Sequence, residues 1–547
     1  MTGNGKTSEI ATLRRDAAWL MNQVDRLRLA VNGTIEPTTR AKDAQFMTPG
    51  AIGSFMASMF HARQSSICLL DPGAAVGSLT AAFVANMMNR PLPPERIHVT
   101  AFEVDAFLAR HLKTALSFCR EACEAAGIDF VGEIRQEDYI VAAAKEADSQ
   151  LFEEGTGRYD CVIMNPPYRK IHSNSETRRN LRSLGIETSN LYTAFMAVAA
   201  SQLKEAGELV SVTPRSFCNG PYFRPFRRFF LNVMALERVH VFESRSNAFK
   251  EDEVLQENII VHATRGVRKP DRVVLSVSAA STDRVKVRRV PYQQTVRAGD
   301  PNRFIHLVVD DKGERAAECM SRLPASLADI GFSVSTGRVV DFRARNHLRP
   351  QPQPGTAPLI YPAHFHKGRI KWPSGQTRKP NAIIVDRHTE DLLVPPGAYV
   401  LVRRFSAKEE RRRIVAAVYD TDCVSGGPVG FENHLNYFHC GGRGLPKDFA
   451  KGLCIFLNST VVDTFFRQFS GHTQVNALDL QSLRYPSQEQ LRAIAAKIPR
   501  LTDDQDAVDE VVEKVLSCTH WRVHESQRKK CLSLTSFLGC AWRTHVG

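Results

Sequence analysis

The 12 cysteines include no CxxC pair. That spacing is the mark of zinc ribbons and dithiol oxidoreductases, so neither class is indicated, no metal is expected, and no disulfide framework is suggested. Cys119 and Cys123 stand one helical turn apart in an apolar stripe and read as core residues. The chain lacks any uninterrupted apolar run of about 18 residues, so no membrane span is expected. Its first residues, MTGNGKTSEI, lack the apolar core of an export signal. A reducing cytoplasm is the expected setting. No internal repeat is visible. Acidic charge is also short: 58 Asp and Glu against 72 Lys and Arg leave a net charge of +14. That excess suits a polyanionic partner, although a basic but inert surface has the same composition.

A chain of 547 residues exceeds what one core organises, so several domains are expected. Residues 7–31 read as an amphipathic helix ending near Asn32-Gly33. From about 66 to 265, strand-like and helical stretches alternate. Strands are expected at SICLLD (66–71), HVTAFEVD (98–105), YDCVIMN (159–165), GELVSVTP (207–214) and VHVFES (239–244). Helices are expected at 79–89 and 190–207. This alternation predicts a mostly parallel, doubly wound α/β sheet. After about 290, Pro, Gly, His and Arg rise and the periodicity fades. A second domain, of mixed α+β type, is expected at 291–500. Residues 331–500 hold 24 Lys and Arg against 13 Asp and Glu, a net of +11, so most of the excess charge lies there. The tail 501–547 carries one expected helix at 505–517.

Chemistry-bearing residues sit at the expected strand ends. SICLLD runs into DPGAAVGSLT, an acidic residue followed by Gly73 and Gly77 and then a helix. Glycines there let the backbone approach a ligand, though an ordinary strand–helix turn looks the same. No Walker-type lysine and serine follow, which argues against a P-loop. The second strand ends in FEVD, placing Glu103 where a carboxylate can take the two hydroxyls of a ribose. Asp138 follows a third strand end. Three acidic tips suit a cofactor with a ribose, an adenine and a cationic amino-acid arm. The strand VIM then stops at Asn165-Pro166-Pro167-Tyr168, because neither proline has an N–H to give to a sheet. The result is a stiff loop presenting an amide, carbonyls and a ring.

The ordered set FMTPGAIGSFMASMF (46–60), DPGAAVGSLT, FEVD, NPPY, NLYTAFM and GELVSVTPRSF resembles the adenine-N6 DNA methyltransferases of restriction–modification systems. The order is that of the class with its cofactor motifs before the recognition domain. STGRVVDFRARNHL (335–348) and LNSTVVDTFFRQFSGHTQVNALDL (457–480) resemble the carboxyl-terminal region of the PstI/BsuBI-type subgroup. The resemblance implies a Rossmann-like methyltransferase domain over 46–290, after an N-terminal helical segment 1–45, and a DNA target-recognition domain over 291–500. It implies S-adenosylmethionine as cofactor and double-stranded DNA as substrate. It also implies a bacterial cytosolic, nucleoid-associated enzyme, with any cognate restriction endonuclease on a separate chain.

For the site, the resemblance implies that Asn165 and the Pro166 carbonyl accept the hydrogens of a flipped-out adenine amine. Pro167 stiffens the loop, Tyr168 stacks on the base, and Phe249 in FKEDEVLQENIIV supplies the opposite wall. Glu103 holds the ribose hydroxyls and Asp138 the adenine amine of the cofactor. Asp71 lies near its ammonium, Thr48 near its carboxylate, Gly73 and Gly77 at its approach, and Phe195 faces its adenine. The third glycine usual in the family's turn is Ala75 here, a position that is strained if its φ is positive. RSFCNGPYFRPFRRFF (215–230) fits either a DNA-backbone surface or an amphipathic helix with a cationic face. A methylase of RNA or protein sharing the NPPY site, or a DNA-binding module without catalysis, are the alternatives.

Overall fold

A computed structural model describes residues 15–35, 47–148, 157–242, 257–266, 268–278, 285–375, 379–407, 409–421, 424, 426–471 and 473–517. The chain divides into two compact units, Met1–Leu307 and Val308–Gly547.

The first unit is built on nine strands: β1 (Ser66–Asp71), β2 (Arg96–Phe102), β3 (Asp129–Arg135), β4 (Tyr159–Met164), β5 (Leu203–Pro214), β6 (Met234–Phe242), β7 (Asn258–Arg265), β8 (Arg272–Ser278) and β9 (Lys286–Pro291). They lie in the order β3-β2-β1-β4-β5-β7-β6-β8-β9. β3 to β5 are parallel, and β7 runs antiparallel to both its neighbours. Helices Ser78–Met88, Ala106–Ala125 and Tyr139–Asp148 follow β1, β2 and β3 in turn. This is the Rossmann-like doubly wound arrangement. Every residue of β4 is buried, as a central parallel strand covered on both faces requires. Strand order reverses between β1 and β4, and such sheets bind ligands beyond the carboxyl ends at that point.

β1 spans the expected residues, and β4 stops one residue before Asn165. β2 ends at Phe102 rather than Asp105, because the next residues leave the sheet to cap the following turn and helix. The helix expected over 190–207 is Leu191–Gln202, and residues 203–207 belong to β5. Ala206 turns there with φ 61°. β8 and β9 lengthen the sheet beyond the expected strands.

The amino-terminal helix is Ala17–Thr34, capped by Asp16, which accepts the Trp19 N–H at 2.8 Å. It packs into the first unit, with Trp19 edge-on to Phe118 at 5.9 Å. The 215–230 stretch is an amphipathic helix end: Phe217, Phe223, Phe226 and Phe230 are buried. Arg227 is buried with them and donates to the carbonyls of Phe217, Gly220 and Asn302 at 2.8–2.9 Å, so it ties the core. That tie, with the Ile305 N–H donating to the Cys218 carbonyl at 3.0 Å, carries the first unit on to Leu307.

The second unit is mixed α+β. It holds a six-stranded and a five-stranded sheet of short strands, with helices Lys447–Leu457, Thr460–Phe469, Gln488–Lys497 and Gln505–Leu516. Its core is aromatic, with Tyr399, Tyr419, Phe431 and Tyr437 packed together. The tail helix Gln505–Leu516 is part of this unit: Asp509 accepts the Thr460 N–H and hydroxyl, both at 2.7 Å. Among the described residues no single helix is long and apolar enough to cross a membrane.

Candidate active site

The turns beyond the carboxyl ends of β1, β2, β3 and β4 enclose a cavity of about 460 Å³. That is within the range for a small-molecule site. Gly73, Glu103, Asp138, Asn165, Pro167 and Phe195 line it.

After β1 the chain turns through residues 72–77. The Gly77 N–H closes onto the Ala74 carbonyl at 2.7 Å, and Ala75 and Gly77 have φ of 47° and 85°. Ala75 is therefore in the left-handed region, where a Cβ costs roughly 1–2 kcal/mol. Its N–H donates to Glu103 Oε2 at 2.9 Å, while the Asp105 N–H donates to Oε1 at 2.8 Å. The Glu103 carboxylate is thus aimed by the turn after β1 and by its own loop. Burial raises its pKa, although those amides favour the charged form. Gly77 does not line the cavity. A Cβ there would stand 3.0 Å from Leu112 and 3.1 Å from Ala115, so this glycine serves the approach of helix Ala106–Ala125.

Asp71 is fully buried. Its Oδ2 accepts the Thr80 hydroxyl at 2.8 Å, and its Oδ1 has no hydrogen-bond partner. Burial, with added repulsion from Glu103, lifts its pKa to about 7 despite the Thr80 bond. Asp138 caps helix Tyr139–Asp148 through one oxygen, accepting the N–H groups of Ile140 and Val141 at 2.9 Å. Phe102, Tyr139 and Phe195 form an aromatic line at centroid spacings of 5.1 and 5.2 Å.

The NPPY loop is braced by the segment that starts the next helix. The Leu191 N–H donates to the Arg169 carbonyl at 2.8 Å, and Asn190 bridges Lys170 before capping helix Leu191–Gln202. Asn165 Nδ2 donates to Thr48 Oγ1 at 3.1 Å, and Tyr168 donates its hydroxyl to Asn165 Oδ1 at 3.0 Å and to the Val212 carbonyl at 3.3 Å. Burial raises the Tyr168 phenol well above its ordinary pKa, which keeps it a donor. Its ring meets Tyr192 edge-on at 6.0 Å. Pro166 is buried behind the loop. Thr48, Asp71, Pro166 and Tyr168 stand behind the lining rather than in it. Phe249 lies outside the described residues.

Among the lining residues that the sequence does not single out are Phe102, Asp105 and Tyr139. Asp105 closes the FEVD stretch and differs from Glu103 by its N-cap role: it accepts from the Phe107 and Leu108 N–H groups at 2.7 and 3.1 Å. Elsewhere in the unit, His61, Glu208 and His262 bring possible ligand atoms within 4.8 Å of one another. Glu208 already accepts the His61 N–H and pairs with His262 Nε2 at 2.8 Å, so the cluster holds together without an ion.

The cavity suits a cofactor with a ribose and a cationic arm. Glu103 supplies a buried carboxylate, Phe102, Tyr139 and Phe195 supply apolar ring surface, and behind the lining Asp71 Oδ1 is a buried acceptor lacking a donor.

Comparison with known proteins agrees. The Eco57I restriction-modification methylase family matches residues 99–249. The Type II methyltransferase M.PstI of Providencia stuartii is 43% identical over 494 residues, covering 90% of this chain and 96% of that protein. M.BsuBI of Bacillus subtilis is 40% identical over 503 residues, covering 91% and 98%. The solved structure of the Type IIL restriction-modification enzyme MmeI in complex with DNA aligns at a TM-score of 0.50 and 12% identity, over 95% of this chain and 78% of that one, a likeness of fold. With two such relatives matched over nine-tenths of its length, the chain belongs to the Type II methyltransferases of restriction–modification systems, alongside M.PstI and M.BsuBI.

Proposed function

We propose that the chain methylates N6 of an adenine in a short duplex DNA sequence, using S-adenosylmethionine, and so shields that sequence from a cognate nuclease carried on another chain. The observation that carries this reading is the fixed amide of Asn165. Its Nδ2 donates to Thr48 and its Oδ1 accepts from Tyr168, which holds the amide at the cavity's edge.

The physical reasoning runs through that oxygen. An exocyclic amine on adenine is a poor nucleophile, because its lone pair is delocalised into the ring. Asn165 Oδ1 and the Pro166 carbonyl, accepting its two hydrogens, favour a pyramidal nitrogen with a directed lone pair. Such fixed acceptors act more strongly on the developing charge than on the ground state. An amide oxygen has two lone pairs, so Oδ1 can take the amine hydrogen while Tyr168 holds it or shifts to the Val212 carbonyl. The base leaves the duplex to reach this depth, as for other enzymes that act on a base within a stack.

Bound S-adenosylmethionine supplies an electrophilic methyl group. Glu103 would hold its ribose hydroxyls, Asp138 its adenine amine and Asp71 its ammonium. Thr48 accepts from Asn165 and keeps its own hydrogen for the carboxylate. The second unit, with its net positive charge, would grip and read the duplex. The test is incubation of the protein with methyl-labelled cofactor and DNA, RNA and protein substrates in parallel. Label in N6-methyladenine of duplex DNA is the expected result. Label confined to RNA or protein overturns the substrate.

A further inference from the structure

Phe342 of the second unit is 73% exposed, yet the turn that carries it is tightly held. The N–H groups of Arg343 and Ala344 both donate to the Val340 carbonyl at 3.0 Å. Asp341 Oδ1 accepts the Phe342 N–H at 2.9 Å, and its other oxygen pairs with Lys379 at 2.7 Å. On either side, Val339 and Ala344 are buried in one apolar cluster, and the Val339 N–H donates to the Phe431 carbonyl at 3.0 Å. The backbone thus sends two small apolar side chains inward and holds the large one out. This turn forgoes the gain from burying a phenylalanine ring.

One exposed ring alone would call for no explanation. This ring is not alone. The Arg343 guanidinium stands 5.6 Å from its centre. The Asn433 N–H donates to the Val339 carbonyl at 2.9 Å, which sets His434 beside this loop. The His434 ring packs at 4.9 Å on Phe405, which is 39% exposed, and Arg404 lies 5.9 Å from that ring. Phe342, Phe405 and Val385 are the exposed large apolar side chains among the described residues of this unit, and two of the three belong to this surface. Arg338, Arg343 and Arg345 are exposed along the same loop. A protein partner favours an apolar centre depleted of charge. Rings interleaved with guanidinium groups suit instead a polyanion that offers flat π faces.

We propose that the loop around Phe342 is a base-contacting site for duplex DNA. Phe342 wedges into a base step of the recognised sequence and meets the base faces it opens, and Arg338, Arg343 and Arg345 hold the flanking phosphates. This rests on the reading of the chain as a DNA methyltransferase and assigns part of its DNA contact to named residues.

The experiment is fluorescence titration of the full chain with a duplex carrying its methylated sequence and with a scrambled duplex, at several salt concentrations. Phe342→Ala should weaken binding of the matched duplex about 10–100-fold, with the salt slope kept, because stacking and not charge is lost. Phe342→Trp should restore most of the affinity. Arg343→Ala should lower the salt slope by about one. Cofactor affinity should be unchanged in all three. If the wild-type chain binds the matched duplex and Phe342→Ala binds it equally well, the inference is overturned while the DNA reading stands. If the wild-type chain binds neither duplex, the DNA reading fails and takes the inference with it.

Discussion

Asn165 donates through Nδ2 to the Thr48 hydroxyl at 3.1 Å while its Oδ1 accepts from the Tyr168 hydroxyl at 3.0 Å, so the amide of the NPPY loop is held at both ends. The first bond links a strand-end loop to a threonine 117 residues earlier in the chain.

Asn165→Ala should therefore lose methyl transfer by about 10²–10³-fold, the usual effect of removing one preorganised electrostatic contact. Cofactor affinity should stay near wild type. Single-turnover labelling reads the rate and calorimetry the affinity. A variant keeping more than about a third of the rate would remove Asn165 from the chemistry.

Glu103→Gln should weaken cofactor binding by about 10–100-fold. The charged acceptor is replaced by a neutral one of the same shape, and bonds to charged groups are worth about 1.5–3 kcal/mol. Calorimetry without DNA measures it, and an unchanged dissociation constant would separate Glu103 from the ribose.

With Asp71 at the cofactor's ammonium, as proposed, cofactor binding should depend on pH. Its folded pKa of about 7 stands above the ordinary 3.8. Between those values the folded chain holds the extra proton, so this group's contribution to stability falls as pH rises and is lost by about pH 7. A cationic arm favours the ionised carboxylate. Affinity should therefore rise with pH up to about 7 and then level off, with proton release on binding. Asp71→Asn should bind more weakly and lose this dependence. A wild-type affinity flat across this range would place the ammonium elsewhere.

The two positive-φ residues of the turn after β1 should respond oppositely to substitution. Ala75→Gly relieves a left-handed alanine and should raise stability by about 1 kcal/mol. Gly77→Ala puts a Cβ 3.0 Å from Leu112 at φ 85° and should cost about 1–3 kcal/mol. Thermal unfolding reads both. A stabilised Gly77→Ala would mean that helix Ala106–Ala125 can yield there.

The legibility of the sequence varied with the reach of the cause. β1 and β4 were readable because their apolar runs end at local stops, Asp71-Pro72 and the proline pair. Glu103 and Asp138 were readable as cavity residues because each follows closely on a strand end, after Phe102 and Arg135. The ends of β2 and of helix Leu191–Gln202 were not. Glu103 leaves its strand to meet an amide 28 residues earlier, and residues 203–207 are drawn into a sheet whose neighbour is β4. The Thr48–Asn165 bond and the aromatic line of Phe102, Tyr139 and Phe195 join distant segments, and no local pattern announces them. The interleaved Arg and Phe of 215–230 left two readings open, and the burial of Arg227 favours the packed helix.

The most direct measurement is methylation-sensitive long-read sequencing of DNA from a host expressing the chain, beside a host expressing Asn165→Ala. The account predicts N6-methyladenine at one short motif, on nearly every copy, in the first host and none at that motif in the second. Unmodified DNA in both hosts, a modified cytosine in place of adenine, or equal modification by the Asn165→Ala chain would contradict it.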